Sequence, residues 1–155
     1  MDDKLDTHAL AMVSFIYNRV VAGAAGALRK RLKLSVTEAR IALHVGASDS
    51  VTAAELVRIM GLDKAAISRG TARLIELGLI KSEPDPQHAA RNILSVTKSG
   101  RICYEAIANF TFAREEYLLS VLSAGEQKQF LESLRKVLKN VEPTNERARA
   151  GDFWD

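Results

Sequence analysis

The segment GLDKAAISRGTARLIELGLIKSE, residues 61–83, changes its pattern at Gly78, and this change decides the fold. Before Gly78 the segment is typical of a helix, with Asp63 as a suitable N-cap and apolar residues at helical spacing. After Gly78 two short β-prone runs, LIKSE and RNILSVT, flank PDPQHAA. These runs predict a β-hairpin whose loop is longer than a tight turn. The segment therefore predicts a helix that leads directly into a hairpin.

Two further helices are predicted before this segment. Ser35 begins a helix that runs to Val45, and Thr52 begins one that ends at Gly61. Each start has a glutamate three residues on, which is the capping-box pattern. A short helix, a tight turn and a second helix form a helix-turn-helix, whose second helix can enter a DNA major groove. The hairpin that follows is then a wing.

Long apolar helices are predicted on both sides of this middle region. Residues 6–31 are apolar on most faces, so we expect this helix to be buried, as it would be between two subunits. A second long helix begins at Thr97, and Ser123 caps an amphipathic one that carries Phe130, Leu134 and Val137. The tail from Pro143 is polar and is predicted to be loose.

These elements predict one mainly α-helical chain with a small β-hairpin wing. The winged helix-turn-helix covers residues 34–100, helical dimerisation regions cover 6–31 and 101–141, and a tail covers 142–155. The chain has 155 residues, of which 47% are hydrophobic and 26% charged, as in ordinary globular proteins.

The charge is unevenly distributed although the net charge is only +3. Residues 28–40 contain five Lys or Arg against one acid, and residues 58–101 contain eight against four. The remainder of the chain is therefore acidic. A basic middle with acidic flanks suits contact with phosphates.

Other function classes have little support in the sequence. The histidines (His8, His44 and His88) lie far apart, and no nucleophile stands beside a base, so we predict no catalytic residues, no metal site and no cofactor. His44 is predicted to be a core histidine. The single cysteine, Cys103, is predicted to be a buried structural thiol, with a redox sensor as the alternative. The acidic N-terminus is unlike a signal peptide, and no uninterrupted apolar run approaches the roughly 18 residues of a membrane span. We therefore expect a cytoplasmic protein with no membrane contact.

The predicted recognition helix has two different sides when it is placed on a helical wheel. Ile67, Thr71, Leu74 and Ile75 would face the core, whereas Ala65, Arg69, Ala72 and Glu76 lie opposite, with Ser68 and Arg73 at the margins. Small side chains allow close approach to base edges, and arginine can bind guanine or phosphate. The predicted DNA-binding residues are Thr52, Lys64, Ala65, Ser68, Arg69, Ala72, Arg73 and Arg91.

Residues 34–101 resemble the MarR (multiple antibiotic resistance regulator) family of winged-helix regulators. The matching pieces are LSVTEAR, TAAELVRIMGLDKAAISRGTARLIELGLI and the PDP…SVTKSGR run. The resemblance implies a homodimer with interleaved first and last helices that binds an inverted-repeat operator in double-stranded DNA. It implies a ligand-responsive repressor with a pocket for a small aromatic or phenolic effector between the helical layer and the winged domain. Candidate pocket residues are Tyr17, Arg19, Arg40 and His44.

The wing departs from the pattern of this family. Its members often carry Asp-Arg-Arg there, whereas the matching window in this chain is His88-Ala89-Ala90-Arg91. A minor-groove contact is therefore either lost or made by Arg91, and the alternative is that Arg91 is a solvated charge. Two other function classes remain open: a winged-helix module for protein contact, and a small-molecule-binding protein without an operator.

Overall fold

The structure, a computed structural model, describes residues 7–154 and consists of helices with one small sheet. The helices are α1 (Ala9–Leu32), α2 (Val36–Gly46), α3 (Ala53–Met60), α4 (Lys64–Glu76), α5 (Lys98–Leu119), α6 (Ala124–Lys139) and α7 (Val141–Ala150). The strands are β1 (Val51–Thr52), β2 (Ile80–Asp85) and β3 (His88–Val96). The chain divides into two compact units between Phe110 and Thr111, within α5. The predicted mainly α-helical winged fold is confirmed.

Short-range capping fixes the starts of the helices in the middle of the chain. The Glu38 carboxylate accepts the Ser35 N–H at 2.7 Å, and the Ser35 hydroxyl accepts the Glu38 N–H at 3.2 Å. Thr52 and Glu55 form the same reciprocal pair at the start of α3. These bonds satisfy donors that have no partner inside the helix. The predicted helix starts are thus confirmed.

The wing is a three-stranded antiparallel sheet in the order β1-β3-β2. Ile80 pairs with Val96 at its base, and Val51 pairs with Leu94 at its inner edge. Strand β1 was not predicted. The predicted long loop is wrong, because β2 continues through a bulge at Pro84 and Asp85, and only Pro86 and Gln87 form the turn.

The core of the first unit lies among α2, α3, α4 and the sheet. Its largest fully buried side chains are Leu34, Ile41, Val45, Leu56, Ile67, Leu74 and Ile107. On α4, Ile67, Thr71 and Leu74 are buried as predicted, but Ile75 is 40% exposed. Ile75 follows the fully buried Leu74 by one residue, about 100° round the helix, so it lies at the edge of the buried side and the prediction that it faces the core is wrong.

At the junction of α4, the wing and α5, Thr97 forms hydrogen bonds with backbone groups of neighbouring segments. The Thr97 hydroxyl donates to the Gly78 carbonyl at 2.7 Å and accepts the Gly100 N–H at 3.0 Å. The Thr97 N–H donates to the Leu79 carbonyl at 3.1 Å. A Cβ on Gly100 would overlap that carbonyl oxygen. The strand β3 and helix α5 are therefore fixed directly against the end of α4.

Helix α1 is mostly exposed in the single chain, where only Ala24 and Leu28 are buried. We predicted that this helix is buried, but within the single chain most of its side chains are exposed. By length and composition alone, α1 also meets the requirements of a membrane-spanning helix, which the sequence did not lead us to expect. Core helices of soluble proteins meet the same requirements.

The second unit contains the end of α5 and the helices α6 and α7. The Ser123 and Glu126 capping box starts α6 as predicted. The tail was predicted to be loose, but residues Val141–Ala150 form a helix. Pro143 is compatible with this helix because it lies in the first turn, where a missing N–H costs no intrahelical bond.

Candidate nucleic-acid interface

Helix α4 begins at a tight turn and presents one side to solvent. Gly61 ends α3 with a left-handed backbone (φ 63°), and the Asp63 carboxylate accepts the Ala66 N–H at 2.8 Å to start α4. Within α4 the six residues predicted to bind DNA are all exposed: Lys64, Ala65, Ser68, Arg69, Ala72 and Arg73. Three of the six have short side chains. This surface allows close approach and carries positive charge, which suits a major groove.

The opposite side of α4 packs closely on α2. A Cβ on Gly70 would lie 2.5 Å from Ile41 Cδ1 and 3.8 Å from Thr37 Cγ2. Gly70 itself is buried. The role of Gly70 depends on a neighbour from another helix, so the sequence carries no local signal for it. The close packing holds the exposed side of α4 in one orientation.

The two arginines of α4 differ in their partners. Arg73 Nη1 lies 2.8 Å from a Glu76 carboxylate oxygen, and this pairing raises the pKa of Arg73. No ion pair involves Arg69 among residues 7–154. Arg69 is therefore ready to bind an external acceptor, whereas Arg73 must share its charge with Glu76.

The tip of the wing is organised by Asp85. Its carboxylate accepts the Gln87 N–H at 2.8 Å and the Arg91 Nε–H at 2.6 Å. These two bonds, with the charges of Arg91 and His88, hold the pKa of Asp85 below its ordinary value. Asp85 is 8% exposed, whereas the Arg91 side chain is 53% exposed. Arg91 is therefore held at its Nε and remains accessible to solvent.

Thr52 is occupied by its capping role. Its hydroxyl donates to the Glu55 carboxylate at 2.8 Å and accepts the Glu55 N–H at 3.2 Å. A phosphate contact by Thr52 remains a prediction, and it would compete with the cap.

The residues predicted to line an effector pocket do not all come together. The Arg40 guanidinium lies 5.5 Å from the centre of the Tyr17 ring and donates to the Met60 carbonyl at 3.4 Å. Burial, and then the Arg40 charge, lower the pKa of His44. Arg19 follows Tyr17 by two residues, so it points to a different side of α1 and is exposed.

Cys103 is half-buried in the first part of α5, and burial raises the pKa of its thiol. The thiolate is the reactive form of cysteine, so this environment does not activate it. Among residues 7–154 no group of three His, Cys, Asp or Glu side chains is placed to hold a metal ion.

The turn between α3 and α4, the exposed side of α4 and the adjoining sheet define a winged helix-turn-helix protein. A family model described as the MarR family matches residues 32–91. A MarR/EmrR family transcriptional regulator from Acinetobacter sp. ADP1 is 26% identical, with a TM-score of 0.81 over 90% of this chain and 98% of that one. Residues 32–91 are therefore similar to the MarR family.

Two further proteins are similar to this chain. The HTH-type transcriptional repressor NicR of Pseudomonas putida is 30% identical over 89 residues, which is 57% of this chain and 56% of NicR. The chain therefore spans about half the length of this curated relative. A MarR family regulator from Listeria monocytogenes, solved with a 26mer DNA, has a TM-score of 0.83 over 94% of this chain and 96% of that one. At 19% identity, that likeness shows the fold alone.

Proposed function

We propose that the protein is a cytoplasmic, sequence-specific DNA-binding regulator of transcription. The observation that carries this proposal is the exposed side of α4. There Arg69 lies among small side chains, and it forms no ion pair with any residue in the range 7–154. Such a helix can bring its backbone close to base edges and place one guanidinium on a guanine. The solved Listeria relative in complex with DNA supports this use of the fold.

Selection from random duplex DNA tests this proposal. Purified protein should enrich a related set of sequences, and the enriched duplex should bind at least about 10³-fold more tightly than a scrambled duplex at physiological salt. A module for protein contact, or a small-molecule-binding protein without an operator, would enrich nothing.

The proposed regulator is a two-fold dimer formed by its first and last helices. In the single chain α1 exposes Leu10, Met12, Val13, Ile16 and Tyr17, and α6 exposes Phe130, Leu131, Leu134, Val137 and Leu138. Apolar surface of this extent is typical of an interface, and a symmetric dimer reads half-sites about 10 bp apart. A stable monomer in sedimentation at micromolar concentration, with full DNA affinity, is incompatible with this part of the proposal.

We further propose that the regulator is a repressor released by a small aromatic or phenolic effector. The contact of Tyr17 with Arg40 supports this, because an aromatic ring and a cation would together accept such a ligand. Arg40 also binds the carbonyl of Met60 at the end of α3, which connects it to the helix-turn-helix. Candidate aromatic acids and phenols should release the selected duplex from the wild type but not from Arg40→Gln.

A further inference from the structure

The C-terminal end of α1 concentrates positive charge that forms no ion pair among residues 7–154. Its four basic residues, Arg29, Lys30, Arg31 and Lys33, are all exposed, and here they are named the α1 basic segment. Residues 7–37 contain no Asp or Glu. None of the ion pairs among residues 7–154 involves the segment. Cations are favoured at a helix C-terminus, but four of them in five positions also repel one another.

One member of the segment occupies an unfavourable backbone conformation. Lys33 has φ 59° and ψ 23°, and it is the one non-glycine residue with positive φ in the part of the chain that the structure describes. Glycine holds the other three such positions: Gly61, Gly78 and Gly151. Glycine is also the usual residue at this place after a helix. A lysine here therefore makes the fold less stable than glycine would.

The segment lies on the side of the first unit where α2 meets α4. Lys33 precedes Ser35, the N-cap of α2, by two residues, a span of at most about 7 Å. The first turn of α2 in turn lies beside α4, since Thr37 is close to Gly70. In addition, the charge of Glu38 contributes to the raised pKa of Arg73. The segment is therefore connected to the recognition helix α4 through the first turn of α2.

We propose that the α1 basic segment binds phosphates of the DNA backbone outside the base pairs that α4 contacts. This inference rests on the proposed function and extends its surface beyond the recognition helix and the wing. Its ligand is the phosphodiester backbone, so the contact carries no sequence information. The segment adds affinity and salt dependence to all duplexes alike.

The double variant Lys30→Gln/Lys33→Gln tests the proposal against a matched control. Lys136→Gln/Lys139→Gln removes the same charge from the last turn of another exposed helix, α6. In a dimer the segment variant loses four cations, so the slope of log affinity against log salt should fall by about 3.6. The affinity loss between 50 and 200 mM salt should then shrink about a hundredfold. An unchanged slope, or an equal change in the control, would overturn the proposal.

Duplex length locates the contact. On the selected sequence, adding about 8 bp to each end should strengthen wild-type binding at least tenfold at 50 mM salt and leave the segment variant nearly unchanged. Equal gains for both proteins would refute a contact outside the half-sites. The salt slope on a random duplex is measured separately, so the segment is still tested if selection enriches no sequence and the proposed function fails.

Lys33→Gly separates a DNA role from a structural one. Glycine suits the left-handed backbone, so this variant should unfold at a higher urea concentration than the wild type. At the same time its affinity for a random duplex at 50 mM salt should fall about threefold to tenfold. A stabilised variant with unchanged affinity would show that the lysine has no role in DNA binding.

Discussion

Replacing Gly100 by alanine should weaken the junction that joins the recognition helix, the wing and α5. A Cβ at this position would overlap the Leu79 carbonyl oxygen. That carbonyl already accepts the Thr97 N–H at 3.1 Å. The Gly100 N–H is itself bound to the Thr97 hydroxyl at 3.0 Å. The added methyl group must therefore displace backbone rather than a side-chain end.

The expected magnitude follows from three effects. Overpacking a filled site costs about 1–3 kcal/mol, and the upper part of this range applies because backbone must move. Weakening the bond to Thr97 adds about 1 kcal/mol. Alanine is better than glycine in a helix by at most about 1 kcal/mol. The net loss in free energy of unfolding is therefore about 2–3 kcal/mol.

Urea unfolding measures this loss, with Gly125→Ala as the control. A Cβ on Gly125, in the first turn of α6, meets nothing within 4 Å. With a slope of roughly 2 kcal/mol per M, the midpoint should fall by about 1–1.5 M for Gly100→Ala and rise by up to about 0.5 M for Gly125→Ala. All proteins are compared at one concentration, because the proposed dimer would unfold in a concentration-dependent way. A wild-type midpoint for Gly100→Ala would refute the described packing of the junction.

Three further predictions concern the site. In titrations followed by fluorescence anisotropy, Arg69→Ala should reduce the preference for the selected duplex by about 1–3 kcal/mol per half-site. Arg73→Ala should instead weaken binding to the selected and random duplexes alike. An unchanged preference for Arg69→Ala would contradict the assignment of Arg69 to a base contact. Arg91→Ala should weaken DNA binding more when the selected sequence has A·T-rich flanks than when it has G·C-rich flanks, since a narrow minor groove attracts arginine. A loss of binding free energy under about 1 kcal/mol, independent of the flanks, would mean that Arg91 is a solvated charge. The lowered pKa of His44 means that below about pH 6.5 the unfolded chain takes up protons that the folded chain does not, so stability falls as the pH falls from 7 towards that lowered pKa. In urea unfolding at pH 7.5 and 5.5, His44→Gln should lose less stability than the wild type; an identical loss would argue against the lowered pKa.

Elements with short-range signals were predictable from the sequence. The capping boxes at Ser35, Thr52 and Ser123 each lie within four residues and correctly placed the starts of α2, α3 and α6. The buried positions Ile67 and Leu74 followed from helical spacing alone. Ile75 did not, because the spacing gives the side of a helix but not how far round the helix the buried part extends.

Features that depend on distant partners were not predictable. Strand β1 has two residues, and its partner Leu94 is more than forty residues away. The short wing turn depends on the bulge at Pro84 and Asp85, which keeps β2 paired through residues typical of a loop. The helix α7 was missed because the polar tail was predicted to be loose, although Pro143 lies in a first turn, where proline is compatible with a helix.

In the candidate site, too, some features were predictable from the sequence and others were not. Exposure of the α4 residues followed from the wheel, whereas contacts between distant residues did not. The bond of Asp85 to Arg91 spans six residues and requires the two-residue turn, so the assumed longer loop concealed it. The contact of Arg40 with Tyr17 joins two helices and has no signature in the sequence. The pairing of Arg73 with Glu76 is a standard spacing on a helix, and it was predictable from the sequence.

The central claim is that Arg69 of α4 reads a base in the major groove. The most direct measurement replaces each guanine of the selected half-site in turn by 7-deazaguanine, which lacks the N7 acceptor, and titrates the duplexes with wild type and with Arg69→Ala. At one guanine the replacement should weaken wild-type binding about tenfold or more and leave Arg69→Ala nearly unaffected, because the variant has already lost that contact. Inosine, which alters only the minor-groove edge, should have little effect at the same position. The claim is contradicted if no guanine shows this coupling, or if every replacement weakens both proteins equally.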